Sequence, residues 1–238
     1  MPRMEFMLAD ADLAAVADLM AAHRATLLLA LISGRALSAS ELAARAGISR
    51  SLASSHLAKL LDGGLISVQQ QGRQRHYELA SPHIAEVIEA MLTIAPARKA
   101  TTLRESHRGE ALRHARTCYD HLAGELGVAL TGSLERQRMI EPTDNAYRLT
   151  STGEQRLGDL GLDIPALRRQ RRAFARPCLD WTEREPHLAG ALGAGIADRL
   201  LEQDWVRRVP GTRGLRITDT GRRRLRDELG LNLAAPDT

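Results

Sequence analysis

Aromatic side chains make up only 3% of the 238 residues. A core must therefore be built from Ala, Leu, Ile and Val, a palette that favours helices. Cysteine is scarcer still. Cys118 and Cys178 cannot form a disulfide framework, which excludes a disulfide-built miniprotein; in a reducing compartment they are buried thiols, a metal site or a redox pair. Long hydrophobic runs are missing. The longest largely apolar stretch, Ala25–Ile32, falls far short of the roughly 20 residues a membrane-spanning helix needs. Asp10, Asp12 and Asp18 interrupt what would have to be a secretory segment, so the expected location is the cytoplasm. There is no basic tail, and lysine occurs only at Lys59 and Lys99.

What is present is ordinary in bulk: 44% hydrophobic and 26% charged residues describe a globular chain, long enough for one large domain or two small ones. The net charge of +4 is too small to identify a partner. The positions of the arginines carry more information than their number.

Along the chain, Leu13, Val16, Leu19, Met20, Leu27, Leu28 and Leu31 recur at helical spacing over 12–33, with Gly34 ending the helix. Ser38-Ala39-Ser40-Glu41 is a Ser-x-x-Glu capping box that opens a short helix through Ala46. Gly47 supplies a tight turn and Ser49 caps a third helix, 50–61, whose Ala53, Leu57, Leu60 and Leu61 form a buried stripe. Two short strands, 65–68 and 75–79, flank a hairpin with Gly72 near its tip. An amphipathic helix over 82–95 carries Ile84, Val87, Ile88, Met91 and Leu92, and Pro96 ends it.

The second half repeats itself. Ala115-Arg116-Thr117-Cys118-Tyr119-Asp120 returns as Ala175-Arg176-Pro177-Cys178-Leu179-Asp180. His121-Leu122-Ala123-Gly124 returns as His187-Leu188-Ala189-Gly190 after a six-residue insertion, and the Arg148-Leu149-Thr150 segment matches Arg216-Ile217-Thr218. Each copy reads as a helix (122–139; 188–205), a strand, a tight turn, a strand and a capped helix, with Ser151-Thr152-Gly153-Glu154 as a capping box. The expected architecture is mainly α with small β-wings: a winged helix-turn-helix over 1–97, then a duplicated winged-helix-like sensor domain over 98–238, with repeats at about 112–165 and 172–232.

Helix, turn, helix and two-stranded wing over 38–79 suit DNA by geometry: the second helix fits the major groove and the wing reaches the neighbouring minor groove. The outward face of that helix holds Arg50, Ser51, Ser54, Ser55 and Lys59, starting at Ser49, and the wing carries Arg73, Gln74 and Arg75. His56 reads either as a core-edge histidine bonded to backbone or as part of this face.

Glu41-Leu42-Ala43-Ala44-Arg45-Ala46-Gly47-Ile48-Ser49-Arg50-Ser51, Ser55-His56-Leu57-Ala58-Lys59-Leu60 and Gly64-Leu65-Ile66 running to Gly72-Arg73 resemble the ArsR/SmtB winged helix-turn-helix repressors over roughly 12–95. The resemblance implies a homodimer joined through its first and last helices, and repression of a promoter until an effector is sensed. It also implies that Arg50, Ser51, Ser54 and Ser55 meet bases or phosphates and that Arg73 and Arg75 contact the wing-side groove. The family's two frequent metal sites are absent: Glu41-Leu42-Ala43-Ala44 stands where one has Cys-x-Cys, and 82–95 offers His83 without a second ligand.

Sensing is therefore expected in the repeats. Cys118 and His121 are three apart and would share a helix face, and thiolate with imidazole suits zinc or another borderline-soft metal. Cys178 and His187 are nine apart, so that pair needs a loop to fold back. If the copies pack about a two-fold axis, Cys118, His121, Cys178 and His187 assemble at its centre. Structural roles compete with this reading, since a free cysteine is often a small core residue and Asp180 with Glu183 makes an Asp-x-x-Glu capping box. A redox pair of Cys118 and Cys178, with Arg116 and Arg176 as activating cations, is the other alternative. No Gly-rich phosphate loop, His-Glu-x-x-His or Gly-x-Ser-x-Gly occurs, so no catalytic residue is assigned and an enzyme is not expected. The expected function is a sequence-specific, homodimeric transcriptional repressor of double-stranded DNA operators, tuned by a metal, redox or small-molecule effector and independent of membranes. The competing reading is a protein-interaction adaptor whose winged helices bind no operator.

Overall fold

Helix starts and stops in the first part of the chain are written in local chemistry, and the computed structural model, which describes residues 13–72, 74–96 and 102–233, follows most of them. Two helices come first, α1 (Leu13–Leu19) and α2 (Ala22–Leu31), where the apolar spacing predicted one. The break has a visible cause. Buried Arg24 turns back on Asp18, donating from Nε to its carbonyl oxygen at 3.0 Å and from a terminal nitrogen to Oδ1 at 2.8 Å. A side chain thus occupies a carbonyl that a continuous helix would give to its next turn.

Leu37 and Ser38 form β1, too short to show any alternation in the sequence. Next, α3 (Ala39–Ala46) opens on the expected capping box: Ser38 Oγ accepts from the Glu41 amide at 3.3 Å, and Glu41 accepts from the Ser38 amide at 2.8 Å. Gly47, at φ 66°, makes the left-handed turn into α4 (Arg50–Asp62), which Ser49 caps through the Leu52 amide at 3.2 Å. Helix α4 packs on α2 and α3; its Ala53, Leu57 and Leu60 are buried, as are Leu27, Leu28 and Leu31 of α2 and Leu42 of α3, while Leu61 is only partly covered. The strands are longer than predicted, β2 (Ile66–Gln71) and β3 (Gln74–Leu79), and the antiparallel sheet runs β1-β3-β2 with Val68 opposite Tyr77. The amphipathic helix is α5 (Pro82–Ile94). The chain divides into two compact units between Ile84 and Ala85, earlier than the boundary expected at residue 97.

The second unit begins within α5 and continues with α6 (Leu103–His114). The first repeat follows: β4 (Arg116–Cys118), β5 (His121–Ala123), α7 (Glu125–Arg136), β6 (Ile140–Pro142), β7 (Tyr147–Leu149) and α8 (Ser151–Asp159). After α9 (Ile164–Arg168) comes the second: β8 (Arg176–Leu179), β9 (Pro186–Ala189), α10 (Gly190–Glu202), β10 (Val206–Arg208), β11 (Leu215–Ile217) and α11 (Asp219–Leu229). Each copy is thus hairpin, helix, hairpin, helix. The helices do not begin at Leu122 and Leu188 as predicted; those residues lie in strands, and Gly124 at φ 75° and Gly190 at φ 86° turn the chain into the helices behind them. The second-hairpin helices are capped by Thr150 and Thr218, which accept from the Gly153 and Gly221 amides, and not by Ser151 as predicted.

The copies are intertwined. Leu215 in the second copy donates its amide to Ala115 O at 2.8 Å, and its counterpart Tyr147 donates to Ala175 O at 3.1 Å. Helix α7 packs on β9 and α10 packs on β5, so each long helix lies against the other copy's first hairpin. One apolar core, including Leu126, Leu130, Leu134, Leu192, Ile196 and Leu200, is shared by both.

Candidate functional site

The exposed face of α4 is fixed by its buried one. With Ala53, Leu57 and Leu60 inward, Arg50, Ser51, Ser54, Ser55 and Lys59 are all exposed, and Ser51, Ser55 and Lys59 stand four residues apart on one line of the helix. A cation and hydroxyls at the start of a helix also lie where its dipole favours phosphate. Ser49 is exposed but its oxygen is engaged as the cap. In the hairpin, Gly72 turns at φ 63°, and exposed Gln74 and Arg75 face Gln71 and Gln70 across the ladder. Arg73 lies outside the described residues.

His56 is not bonded to backbone, as one reading expected. It is half-buried, neither ring nitrogen has a hydrogen-bond partner, and its ring lies 5.6 Å from that of His23. Burial, followed by the charges of Arg24, His23 and Lys59, holds its pKa below the ordinary value.

In the second unit the repeats bring Cys118, His121, Cys178 and His187 together, with their ligand atoms all within 4.8 Å of one another. The two sulfurs are 3.8 Å apart and the two imidazole centroids 5.1 Å. The arrangement differs from the helical one predicted for the first pair. Cys118 faces His121 across the β4–β5 hairpin, and Cys178 faces His187 across β8–β9. The nine-residue spacing of the second pair is taken up by the loop that the sequence required. Cys118, His121 and His187 are buried, and Cys178 is partly so. The hydrogen bond shared by the sulfurs pulls the Cys178 thiol far below its ordinary pKa; burial opposes this and His121 and His187 assist it. The same bond and burial push Cys118 up.

The two aspartates of the repeat sit beside these histidines. Asp120 Oδ1 is 3.2 Å from His121 Nδ1 and the same carboxylate is paired with Arg172. Asp180 Oδ2 lies 3.4 Å from His187 Nδ1, within ion-pair reach but outside hydrogen-bond geometry. Asp180 opens no helix, contrary to the capping-box expectation. It accepts from the Thr182 and Glu183 amides in a loop, from the Gly124 amide at 2.7 Å at the start of α7, and from Arg116 at 2.7 Å. Burial would raise its pKa, yet Arg116 and Thr182 hold it well below the carboxylate range. Neither Arg116 nor Arg176 serves the thiols as the redox reading expected, because Arg116 is committed to Asp180 and Arg176 to Glu86.

A helix-turn-helix domain profile matches residues 19–69. The chain is 48% identical over 199 residues to the uncharacterized HTH-type transcriptional regulator YdfF of Bacillus subtilis (strain 168), an alignment covering 84% of this chain and 88% of that protein. The chain belongs to the HTH-type transcriptional regulators. Among solved structures, NolR from Sinorhizobium fredii aligns at 26% identity and a TM-score of 0.33, covering 36% of this chain and 86% of its own. Reduced HlyU from Vibrio cholerae aligns at 26% and 0.32, covering 36% and 90%.

The regulator binds DNA in the service of transcription, and the segment read as helix-turn-helix from its capping box and glycine turn is the one the family profile covers. Among the described residues no helix is long and apolar enough to cross a membrane. Sequence reasoning gave Arg116 of the regulator only a supporting part beside a thiol. No local signal could have placed it, because its partner Asp180 lies 64 residues away in the other copy.

Proposed function

We propose that the regulator is a homodimeric repressor that docks α4 in the major groove of a two-fold-symmetric operator and its β2–β3 wing alongside, with the second unit tuning the affinity. The observation that carries this reading is the row of exposed Arg50, Ser51, Ser54, Ser55 and Lys59 on the helix whose opposite side is locked into the core. Ser49, Arg73, Gln74 and Arg75 complete the DNA-facing set. Hydroxyls and guanidinium groups read phosphates and base edges, and they have no packing partner to serve in this place. A second copy as partner is supported by α5, where Val87, Met91 and Ile94 recur at i, i+4 and i+7 and are 43%, 40% and 84% exposed. No catalytic residue is assigned. The effector would act at Cys118, His121, Cys178 and His187, as a transition metal such as zinc or through thiol oxidation; a shift of about 1–3 kcal/mol in operator affinity is typical of such coupling.

The test starts with a duplex that the wild-type protein selects from a random library. Its half-sites should lie about one helical turn apart. Arg73→Ala with Arg75→Ala should weaken binding and flatten the salt dependence together, by about 0.9 in slope for each phosphate no longer neutralised. An adaptor that binds no operator would select nothing, and neither protein would shift DNA.

A further inference from the structure

We propose that the four atoms of the Cys118, His121, Cys178 and His187 cluster hold one divalent ion of the zinc class in a closed tetrahedral shell, and that this ion clamps the two repeats. Each repeat supplies one sulfur and one imidazole from its first hairpin, so neither copy has a complete set alone. Two thiolates about 2.3 Å from a tetrahedral zinc stand about 3.8 Å apart, and the sulfurs are 3.8 Å apart. A square-planar ion would bring neighbouring sulfurs to about 3.2 Å. The imidazoles point to the same ligand. Nε2 of His121 and of His187, both residues at most 3% exposed, has no hydrogen-bond partner, an expensive state for a buried polar atom unless something accepts its lone pair.

Charge favours a divalent ion. Without an ion the two sulfurs share a hydrogen bond, whereas as metal ligands both are thiolates, and two thiolates with one such ion sum to zero. Four protein ligands leave no open position, which is the pattern of a structural or regulatory site. The backing is built from both copies. A Cβ on Gly127 would lie 2.5 Å from Leu122 O and 3.5 Å from His187 Cβ, and one on Gly193 would lie 2.4 Å from Leu188 O and 3.4 Å from His121 Cβ. A glycine on each helix thus lets that helix close on its own hairpin and lie directly behind the other copy's ligand. Asp120 acts as a positioning residue, bonded to the Nδ1 of His121 and so leaving its Nε2 for the metal; Asp180 stands 3.4 Å from His187 Nδ1 without a hydrogen bond. The regulatory consequence, that loading or loss of the ion moves operator affinity, rests on the function proposed above; the clamp itself does not.

The test uses the full-length protein, reduced, stripped with a chelator and titrated with Co2+ alone. One cobalt per chain should give intense tetrahedral d–d bands with sulfur-to-metal charge transfer, displaced by Zn2+. The variant Cys118→Ser with Cys178→Ser should lose these bands. Asp120→Asn should keep their shape while weakening metal affinity by about 10–100-fold; a merely structural role for Asp120 would lower Tm and leave the affinity alone. A readout without substitution guards against misfolded variants: both cysteines of the stripped wild type should be alkylated, and both should be protected by Zn2+. The proposal is overturned if wild type binds no cobalt, if the bands are weak and octahedral, if the serine variant binds as well as wild type, or if Zn2+ protects neither thiol. Operator binding measured on the same samples separates the two readings. Tetrahedral loading with unchanged operator affinity upholds the clamp and removes it from the effector role.

Discussion

In the first unit the side chains proposed to meet DNA, Arg50, Ser51, Ser54, Ser55 and Lys59, stand in solvent on a helix held from behind. In the second, Arg116, Asp180, His121 and His187 are at most 3% exposed; Arg116 and Asp180 hold each other, and each imidazole lies beside an aspartate. The difference separates binding from stability. Exposed polar groups spend little until a partner arrives, so their loss should cost affinity and leave the fold intact. Buried charged groups have already been desolvated, so each is tolerable only while its partner stays in place. The first unit can therefore change its sequence preference one residue at a time. The second can change only in matched sets.

The largest effect tests that contrast directly. Arg116 donates to Leu112 O at 3.0 Å, to Thr182 Oγ1 at 3.1 Å and to Asp180 at 2.7 Å, with its guanidinium 4.7 Å from the Trp181 ring centroid. Arg116→Met would leave Asp180 buried and uncompensated, and breaking such a pair from one side costs about 3–5 kcal/mol. Urea unfolding should show that loss, with part of it recovered when Asp180→Leu is added. Arg50→Ala, by contrast, should leave the unfolding midpoint where it was while operator binding falls. A small loss for Arg116→Met, under about 1 kcal/mol, would mean that the pair is solvated and the contrast between the units is not real.

The same contrast explains what could be read from the sequence. Ser38-x-x-Glu41, Gly47, Ser49 and the Ala53-Leu57-Leu60 stripe are local signals, each acting within a turn or two, and they located the helix-turn-helix to within a residue. The Cys/His cluster was legible by a different route: the repeat made two partial sets visible, and a group of four side chains follows once the copies are paired. The hairpins that carry those side chains were not legible. Strands of three or four residues are too short for alternation to register, and Leu122 and Leu188 sit at helical spacing with the helices behind them. The break between α1 and α2 and the Arg116–Asp180 pair were hidden for a further reason. Each depends on where a long side chain reaches, in the second case across 64 residues.

A middling effect belongs to the first unit and sharpens its half of the comparison. Ser38 satisfies the Glu41 amide, and the Glu41 carboxylate accepts from Ser38 in return; its pKa is lowered by the Ser38 backbone and side-chain hydrogen bonds. Ser38→Ala removes one half of the box and should cost about 1 kcal/mol. Chemical denaturation measures the loss, and operator affinity extrapolated to fully folded protein should be unchanged. If affinity falls well beyond the folded fraction, α3 does more than support α4.

His56 is the place where the first unit behaves like the second, and it gives the smallest effect. Its ring is half-buried with both nitrogens unpartnered, and burial, then Arg24, His23 and Lys59, hold its pKa below the ordinary value of about 6.5. As pH falls past that value the unfolded chain takes up a proton that the folded chain still refuses. The associated stability is therefore present above about pH 6.5 and is lost as pH falls toward the lower folded value. The unfolding midpoint of the wild type should drop through this window, and His56→Gln should flatten that part of the profile. The difference between the two curves reports His56 together with its coupling to the neighbouring His23. Parallel curves would show that water reaches the ring. Glu41, also lowered but from a carboxylate value, acts with the same sign in a separate window below about pH 4.5, so the two contributions resolve on one pH series.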